Sequence, residues 1–503
     1  MELLIERPGE TISRFVCVRQ QPDKTINVWV SENHRGDFQV QNYVSRLQKK
    51  NPQQVVVKFS SLDEITILND EQGKELLDCN PNQLKVLGYF RRAVAVGASD
   101  LHFSIGRDGS QFCYIEMRVH GELSQLDCID KDEGMTLAGT VFQGMCDITE
   151  TQFDQNRQQD ARVSEKFLKP LGIFGARYAH TPAVGGVYAV MRLITDDGQH
   201  VPTFTELGYL PDQVTVLKKI LRRPEGMVIL SGPTGSGKST TLRSASSFYL
   251  EETGYNGKLP RKRLQTIEDP PEGRIPGAIQ TPIIADKTDI LAESQAWLKA
   301  IKYALRLDPD AILTGEIRDL NSAMAAIKAA MTGHILLTTL HANDPLNIAE
   351  RLEIEGVPGR LIADPQLFIG LMSQRLVQKL CPDCKHPWES AKNALSQDDQ
   401  EMVEKYCDTS AVALRNMEGC KNCYQGIVGR VAIAEVIAPD AQFFALYRTE
   451  GKSAAKTYWH RSLGGITRNQ HVLHYINAGE VDPISANLIC PLDEDEYTLL
   501  REA

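Results

Sequence analysis

The sequence predicts an α/β fold in which a parallel sheet flanked by helices follows smaller α/β domains. Two observations carry this expectation. The apolar run Met227-Val228-Ile229-Leu230 passes through the stretch GPTGSGKS, residues 232–239, into Thr240-Thr241-Leu242-Arg243-Ser244-Ala245, which holds no Gly or Pro. Strand, tight turn and helix in that order open a parallel α/β unit. Three later apolar runs end in polar groups: Leu264–Ile267 into Glu268-Asp269-Pro270-Pro271-Glu272, Ala311–Thr314 into Gly315-Glu316, and Ile335–Leu340 into His341. The carboxyl ends of parallel strands share one edge, so these groups are expected beside the glycine-rich turn.

That turn carries a specific chemistry. Its glycines let the backbone curl until successive N–H groups face a phosphate, and the following helix N-terminus adds partial positive charge. Gly232, Pro233, Thr234, Gly235, Ser236, Gly237, Lys238, Ser239 and Thr240 therefore form the expected cradle for ATP. Lys238 would reach the β- and γ-phosphates, and the Ser239 hydroxyl would ligate Mg²⁺. Phosphoryl transfer to water also needs a group orienting the water and positive charge on the transition state. Glu316 follows an apolar strand where an acid serves the metal side. Glu272, after two prolines that restrict the backbone, is a candidate for polarising the water. His341 has two readings, a γ-phosphate sensor or a structural histidine.

The chain has 503 residues, 42% hydrophobic and 24% charged, which is ordinary for a protein of two to four domains. No apolar run approaches the roughly 18 residues that cross a bilayer, and MELLIERPGE lacks a basic region followed by an apolar stretch. A cytoplasmic protein is therefore expected. The net charge of -10 argues against broad affinity for nucleic acid and points to protein partners.

Taken in order, residues 1–80 mix short β-prone runs, such as Thr25–Val30 and Gln54–Phe59, with charged segments. They read as a small domain, either structural or a docking arm. Residues 81–200 read as a second α/β domain, with a helical stretch at Leu87–Val94 and strands at Leu101–Phe103, Tyr114–His120, Ile173–His180 and Val187–Ile194. Arg162, Arg177 and Arg192 lie in this region, and two of them interrupt apolar strands; a solvated sheet face is the ordinary explanation. Residues 201–212, with Pro202, Gly208 and Pro211, read as a linker, and residues 213–503 as the domain built on the glycine-rich turn.

Of 11 cysteines, four form two CxxC pairs, Cys381-Pro382-Asp383-Cys384 and Cys420-Lys421-Asn422-Cys423. Two such knuckles build a closed tetrahedral thiolate site for structural Zn²⁺, in a module over about 375–435. The rival, a redox pair, normally comes singly at the start of a helix.

The ordered boxes GPTGSGKSTTL (232–242), TIEDPPE (266–272), LRLDPDAILTGEIRD (305–319), TGHILLTTLHAND (332–344), QRLVQKLCPDC (374–384) and GCKNCYQGIVGRVAIAEVI (419–437) resemble the secretion ATPase family of type IV pilus assembly and type II secretion. The resemblance covers about residues 85–440. It implies a RecA-like ATPase domain behind a PAS-like domain, working as a homo-hexamer on the cytoplasmic side of the inner membrane with a membrane platform protein as partner. It further implies roles for Lys238 and Ser239 on phosphates and Mg²⁺, Glu272 as catalytic carboxylate, Glu316 on metal-bound water, and His334 and His341 in a histidine box. Arg162, Arg177 and Arg192 match basic positions that reach nucleotide in the family. Retraction motors of the family are shorter and usually lack paired CxxC, so the knuckles favour pilus assembly over retraction. Two other classes fit less well. A nucleotide-dependent scaffold without turnover does not need both Glu272 and Glu316, and a nucleic-acid translocase is disfavoured by the acidic balance.

Overall fold

Strand Gly226–Ser231 is buried along its whole length, because its alternate residues face two helical layers. The computed structural model describes Pro8 and residues 12–20, 25–51, 54–69, 79–147, 152–195, 200–257, 259–283 and 290–497. Met1–Asp197 form one compact unit and Gly198–Ala503 another.

In the second unit a seven-stranded sheet runs in the order Ile279–Pro282, Leu264–Glu268, Ala311–Thr314, Ile335–Leu340, Gly226–Ser231, Phe368–Leu380 and Ile427–Ile437. The first six are parallel, and the last pairs antiparallel with Phe368–Leu380. Met227 and Ile229 pack on one face with Trp297, Ile301, Ile327 and Leu352, from helices Ile290–Ala304, Leu320–Ala330 and Leu346–Ile354. Val228 and Leu230 pack on the other with Leu217, Ile220, Leu242 and Tyr249, from Pro211–Leu221 and Lys238–Glu252. Burial on both faces is why these strands read as unbroken apolar runs.

The stretch 201–212, expected as a linker, is packed into this unit. Thr203 and Glu206 close a capping box on helix Phe204–Leu207, and Phe204 and Tyr209 are buried. Gly208 ends that helix at φ +105, where an added Cβ would lie 2.0 Å from Val431 Cγ2. Its carbonyl accepts from Tyr475 Oη at 2.9 Å and from His471 Nε2 at 2.9 Å, so the entry to the unit is tied to helix Arg468–Asn477.

The first unit holds two sheets. Val16–Gln20, Ile26–Ser31 and Val55–Ser60 form a three-stranded sheet against helix Phe38–Lys50, which Asp37 caps and Val40, Tyr43 and Leu47 anchor. A seven-stranded antiparallel sheet follows in the order Glu122–Asp130, Phe112–Val119, Ala98–Ile105, Gly186–Thr195, Ile173–Ala183, Gln159–Val163 and Cys146–Asp147. Helices Pro81–Ala95 and Lys131–Met145 bury Leu87, Phe90, Leu137 and Phe142. The regions 1–80 and 81–200, expected as separate domains, share a small core in which Cys17, Trp29, Ile65 and Leu68 meet Leu84.

His471 sets a pH dependence. The backbone N–H of Ala434 donates to its Nδ1 at 3.0 Å, and burial drives its pKa from 6.5 down to about 4. Unfolding returns the ring to its ordinary range, so between pH 6.5 and about 4 the unfolded chain holds a proton that the folded chain refuses. The stability this residue contributes is complete above that window and falls as pH drops through it, by roughly 3 kcal/mol in all. Urea unfolding at pH 7 and pH 4.5 should show a smaller acid loss in His471→Asn than in the wild type, by about 2 kcal/mol. Equal losses would exclude the ring as the source.

Candidate functional site

The turn after strand Gly226–Ser231 is shaped by Gly232, Gly235 and Gly237, with φ of +150, +78 and +82. Gly237 is the N-cap of helix Lys238–Glu252 and offers its first turn no side chain. Lys238 Nζ folds back over the turn and donates to the carbonyls of Gly232 at 2.8 Å and Pro233 at 3.0 Å. Ser236 Oγ is buried with no partner among the described residues. First-turn N–H groups, an ammonium and a buried hydroxyl at a helix N-terminus are a donor set that fits a phosphate chain. Ser239 and Thr240, half-buried in the first helical turn, stand where a hydroxyl can meet a phosphate-bound cation. Thr234 and Gly235 are exposed at the tip.

Gln374, on strand Phe368–Leu380, holds this turn in place. Its Oε1 accepts from Tyr209 Oη at 2.7 Å and Thr241 Oγ1 at 2.9 Å, and its Nε2 donates to Ser236 O at 2.5 Å. A Cβ on Gly232 would lie 2.5 Å from Gln374 O, and one on Gly237 would lie 2.9 Å from Gln374 Nε2. The turn therefore needs glycine for packing as well as for φ. Neither Gln374 nor Tyr209 is an expected site residue; the one signal in the sequence is a polar Ser373-Gln374 pair inside an apolar strand.

Glu316 and Glu272 reach the same edge from neighbouring strands. Burial pushes the Lys238 ammonium pKa down, and the carboxylates of Glu316 and Glu272 oppose that push. Gly315 is pinned by its N–H to Ile267 O at 2.9 Å and by Thr339 Oγ1 on its carbonyl at 2.7 Å; the Ile317 N–H donates to Thr339 O at 2.9 Å. Glu316 is thereby fixed between two strands, paired with Arg318 and 3.4 Å from His341 Nε2. The Glu272 loop is held by Gln280, whose Nε2 donates to Gly273 O at 2.8 Å and Glu268 Oε1 at 3.2 Å. Arg243, from the helix after the glycine turn, donates to Arg274 O at 3.1 Å. Arg243 thus couples the carboxylate loop to the helix that follows the phosphate turn.

His334 is not brought to this edge. It precedes strand Ile335–Leu340, which His341 follows, and its carbonyl accepts from Gly226 N at 3.1 Å at the start of the neighbouring strand. Six residues of strand span about 20 Å, so a side chain at the amino end cannot share a phosphate with one at the carboxyl end. His334 Nδ1 instead lies 3.1 Å from both Thr332 Oγ1 and Ala329 O.

In the first unit, Arg162, Arg177 and Arg192 are directly opposite one another on three adjacent strands, in the register Arg162↔Arg177 and Arg177↔Arg192. Asp100 continues the row opposite Arg192, and Arg118 follows opposite Asp100. Directly opposed residues share a face, and like charges so placed repel. Arg192 pairs with a carboxylate of the row, its Nε 2.9 Å from Asp100 Oδ1. Burial raises the Asp100 carboxyl pKa, but bonds from Arg192 and Ser99 outweigh it and the net displacement is downward. Arg192 is thus braced against the sheet, and Arg162 and Arg177 stand opposite each other on the same face.

The four cysteines converge. Cys381 Sγ lies 3.8 Å from Cys420 Sγ, Cys384 Sγ 3.8 Å from Cys423 Sγ, and Cys420 Sγ 3.7 Å from Cys423 Sγ. A disulfide would need about 2.0 Å, whereas sulfurs about 2.3 Å from a tetrahedral zinc lie about 3.8 Å apart. The Cys420 N–H donates to Cys423 Sγ at 3.1 Å, and Asn422 Nδ2 ties the knuckles together through Asp383 Oδ2 at 2.8 Å. The donor set fits Zn²⁺. The module leaves the sheet at Cys381, directly after strand Phe368–Leu380, and rejoins it at strand Ile427–Ile437.

A glycine-rich turn between a buried strand and a helix, with two carboxylates on adjacent strand ends, defines a P-loop α/β protein. The chain belongs to the type II/IV secretion system protein family, whose model matches residues 80–481. It is 30% identical over 365 residues to the type II secretion system ATPase E of Vibrio cholerae, covering 72% of this chain and 66% of that one. It is 32% identical over 370 residues to the type IV pilus assembly ATPase PilB of Thermus thermophilus, covering 72% of this chain and 38% of that one. Among solved structures, the ATPase DotB of Legionella pneumophila matches with a TM-score of 0.55 at 19% identity, over 81% of this chain and 95% of that one, a likeness of fold. No helix of the described residues is long and apolar enough to cross a membrane.

Gln374→Ala leaves the Tyr209 and Thr241 hydroxyls and the Ser236 carbonyl without this partner in a buried place. The expected loss of stability is about 2–4 kcal/mol in urea unfolding. A loss under about 1 kcal/mol would show that the turn holds itself.

Proposed function

We propose that this chain is an ATP-hydrolysing motor that works as a homo-hexamer and drives type IV pilus assembly from the inner face of the membrane. The observation that carries the reading is the convergence of Lys238, Glu316 and Glu272 at one sheet edge. Gly232–Thr240 bind the phosphates, with Lys238 on the β- and γ-phosphates. Ser239 and Glu316 would hold Mg²⁺, Glu316 through a bound water, and the ion neutralises phosphate charge when bound. Glu272 orients and polarises the attacking water, and His341, beside Glu316, senses the γ-phosphate. Arg162 and Arg177 supply the positive charge a loose transition state needs, in the same chain or in the next subunit, so turnover becomes linked to domain position. Arg192 braces that face. Zn²⁺ on Cys381, Cys384, Cys420 and Cys423 is structural, since four thiolates leave it no open position. A membrane platform protein is the expected partner. A type II secretion motor would use the same residues and is the second reading, favoured by the Vibrio cholerae relative.

Steady-state phosphate release tests the chemistry. Lys238→Ala should abolish binding or turnover. Glu272→Gln, Glu316→Ala and the double variant Arg162→Ala/Arg177→Ala should keep near-normal ATP affinity and lose turnover by about 100-fold or more, because these groups act mainly in the transition state. Wild-type turnover in Glu272→Gln would remove it as the water-orienting group, and a full-rate double arginine variant would remove the arginines.

Metal analysis of the purified protein should give one zinc per chain, and Cys→Ser at any of the four positions should loosen the local fold. A zinc-free protein of unchanged stability and activity would remove the metal site.

A further inference from the structure

The loop His341–Asp344 leaves the carboxyl end of strand Ile335–Leu340 beside Glu316, and it is clamped from three directions. Arg351 Nη1 donates to His341 O at 2.8 Å. Ser373 Oγ donates to Asn343 O at 3.3 Å, and Arg468 Nη1 reaches the same carbonyl at 2.9 Å. The Asp344 carboxylate accepts from Leu346 N at 2.8 Å and from Lys456 Nζ at 2.8 Å. Lys456 Nζ also lies 3.1 Å from Glu435 Oε1, and that oxygen accepts from the backbone N–H of Arg468 at 3.2 Å. Glu494 closes the network on the Arg468 guanidinium, with Nε donating to its Oε2 at 3.1 Å.

These charges are out of water: the side chains of Lys456, Glu435 and Arg468 are 11%, 1% and 8% exposed. Apolar residues of similar volume commonly stabilise such a place as well or better, so a buried ionic network is weak evidence of a stability role. What it does supply is fixed geometry. Lys456 lies on helix Lys452–Ser462, Arg468 opens helix Arg468–Asn477, and Glu435 stands directly opposite Ser373 in the sheet. The C-terminal helices and the last two strands thus meet on one four-residue loop. His341 reaches Glu316 at 3.4 Å, the long end of contact, and a displacement of about 1 Å would break it.

We infer that Asp344, Glu435, Lys456 and Arg468 are positioning residues for turnover, which hold the His341–Asp344 loop so that His341 keeps its contact with Glu316. The inference rests on the ATPase reading. None of the four touches the reacting atoms; they act through His341.

The test is a double-mutant cycle on the full-length protein, read as kcat and KM for ATP. Lys456→Met should lower kcat about tenfold or more with KM within about threefold, since the loss is of geometry rather than of phosphate binding. In a His341→Ala background the same substitution should cost nothing further, because coupled residues are non-additive. A purely structural role would cost the same in both backgrounds. Where Lys456→Met fails to fold, Asp344→Asn carries the identical cycle while keeping the shape of the side chain. Wild-type kcat in Lys456→Met or in His341→Ala, or a full repeated loss in the double variant, overturns the inference while leaving the ATPase reading intact. A wild type without turnover overturns both.

Discussion

Parallel pairing at strand Gly226–Ser231 is the constraint on which everything else rests. Its residues pair in step with Ile335–Leu340 on one side and, past a one-residue bulge at Ile369, with Phe368–Leu380 on the other. Because the strands run the same way, the phosphate turn, Glu316 and His341 leave the sheet at one level. Any slip of register would turn Met227 and Ile229 out of one apolar layer and Val228 and Leu230 out of the other. The cores on the two faces therefore fix the edge chemistry, although no apolar side chain takes part in it.

Above that constraint sits a polar layer. Gln374 ties the glycine turn to the neighbouring strand, Gln280 braces the Glu272 loop and Arg243 ties it to the helix after the turn, and Arg468 and Lys456 hold the loop of His341. All but the Gln280 brace, which acts locally, cross between elements far apart in sequence. Gln374, Gln280, Arg243 and Arg468 each satisfy a backbone carbonyl at the mouth of the site and Lys456 pairs with the Asp344 carboxylate, so each loop has one low-energy position.

Much of this was legible in the sequence, for a physical reason. Strands buried on both faces are written as short apolar runs, and the polar residues that end them lie, by strand direction, at one edge. Direction also separates His334 from His341, since one precedes the strand and the other follows it; the family resemblance groups them, while the geometry parts them. The 201–212 stretch misleads because Pro202, Gly208 and Pro211 read as punctuation. The Thr203-to-Glu206 spacing of a capping box and the aromatic residues Phe204 and Tyr209 were the counter-signals, and burial prevailed. Gln374 could not be found this way, because its partners Tyr209, Ser236 and Thr241 lie more than a hundred positions away and polar residues in strands usually face water.

The cysteine module has a topological consequence of its own. It is spliced between two neighbouring antiparallel strands, so the chain departs and returns about 5 Å apart, the spacing that a two-residue hairpin spans. Geometrically, the sheet register is indifferent to how much chain is interposed there. The module is therefore a cassette, open to lengthening, trimming or exchange at little cost to the strands that frame it. Its tether is on the far side: Trp388, Val403 and Val412 share a core with Val472, Ile476 and Ala486 of the C-terminal helices. A shorter relative lacking the cassette would have to re-cover those helices, so what varies with its presence is the architecture of the C-terminal block rather than that of the phosphate edge.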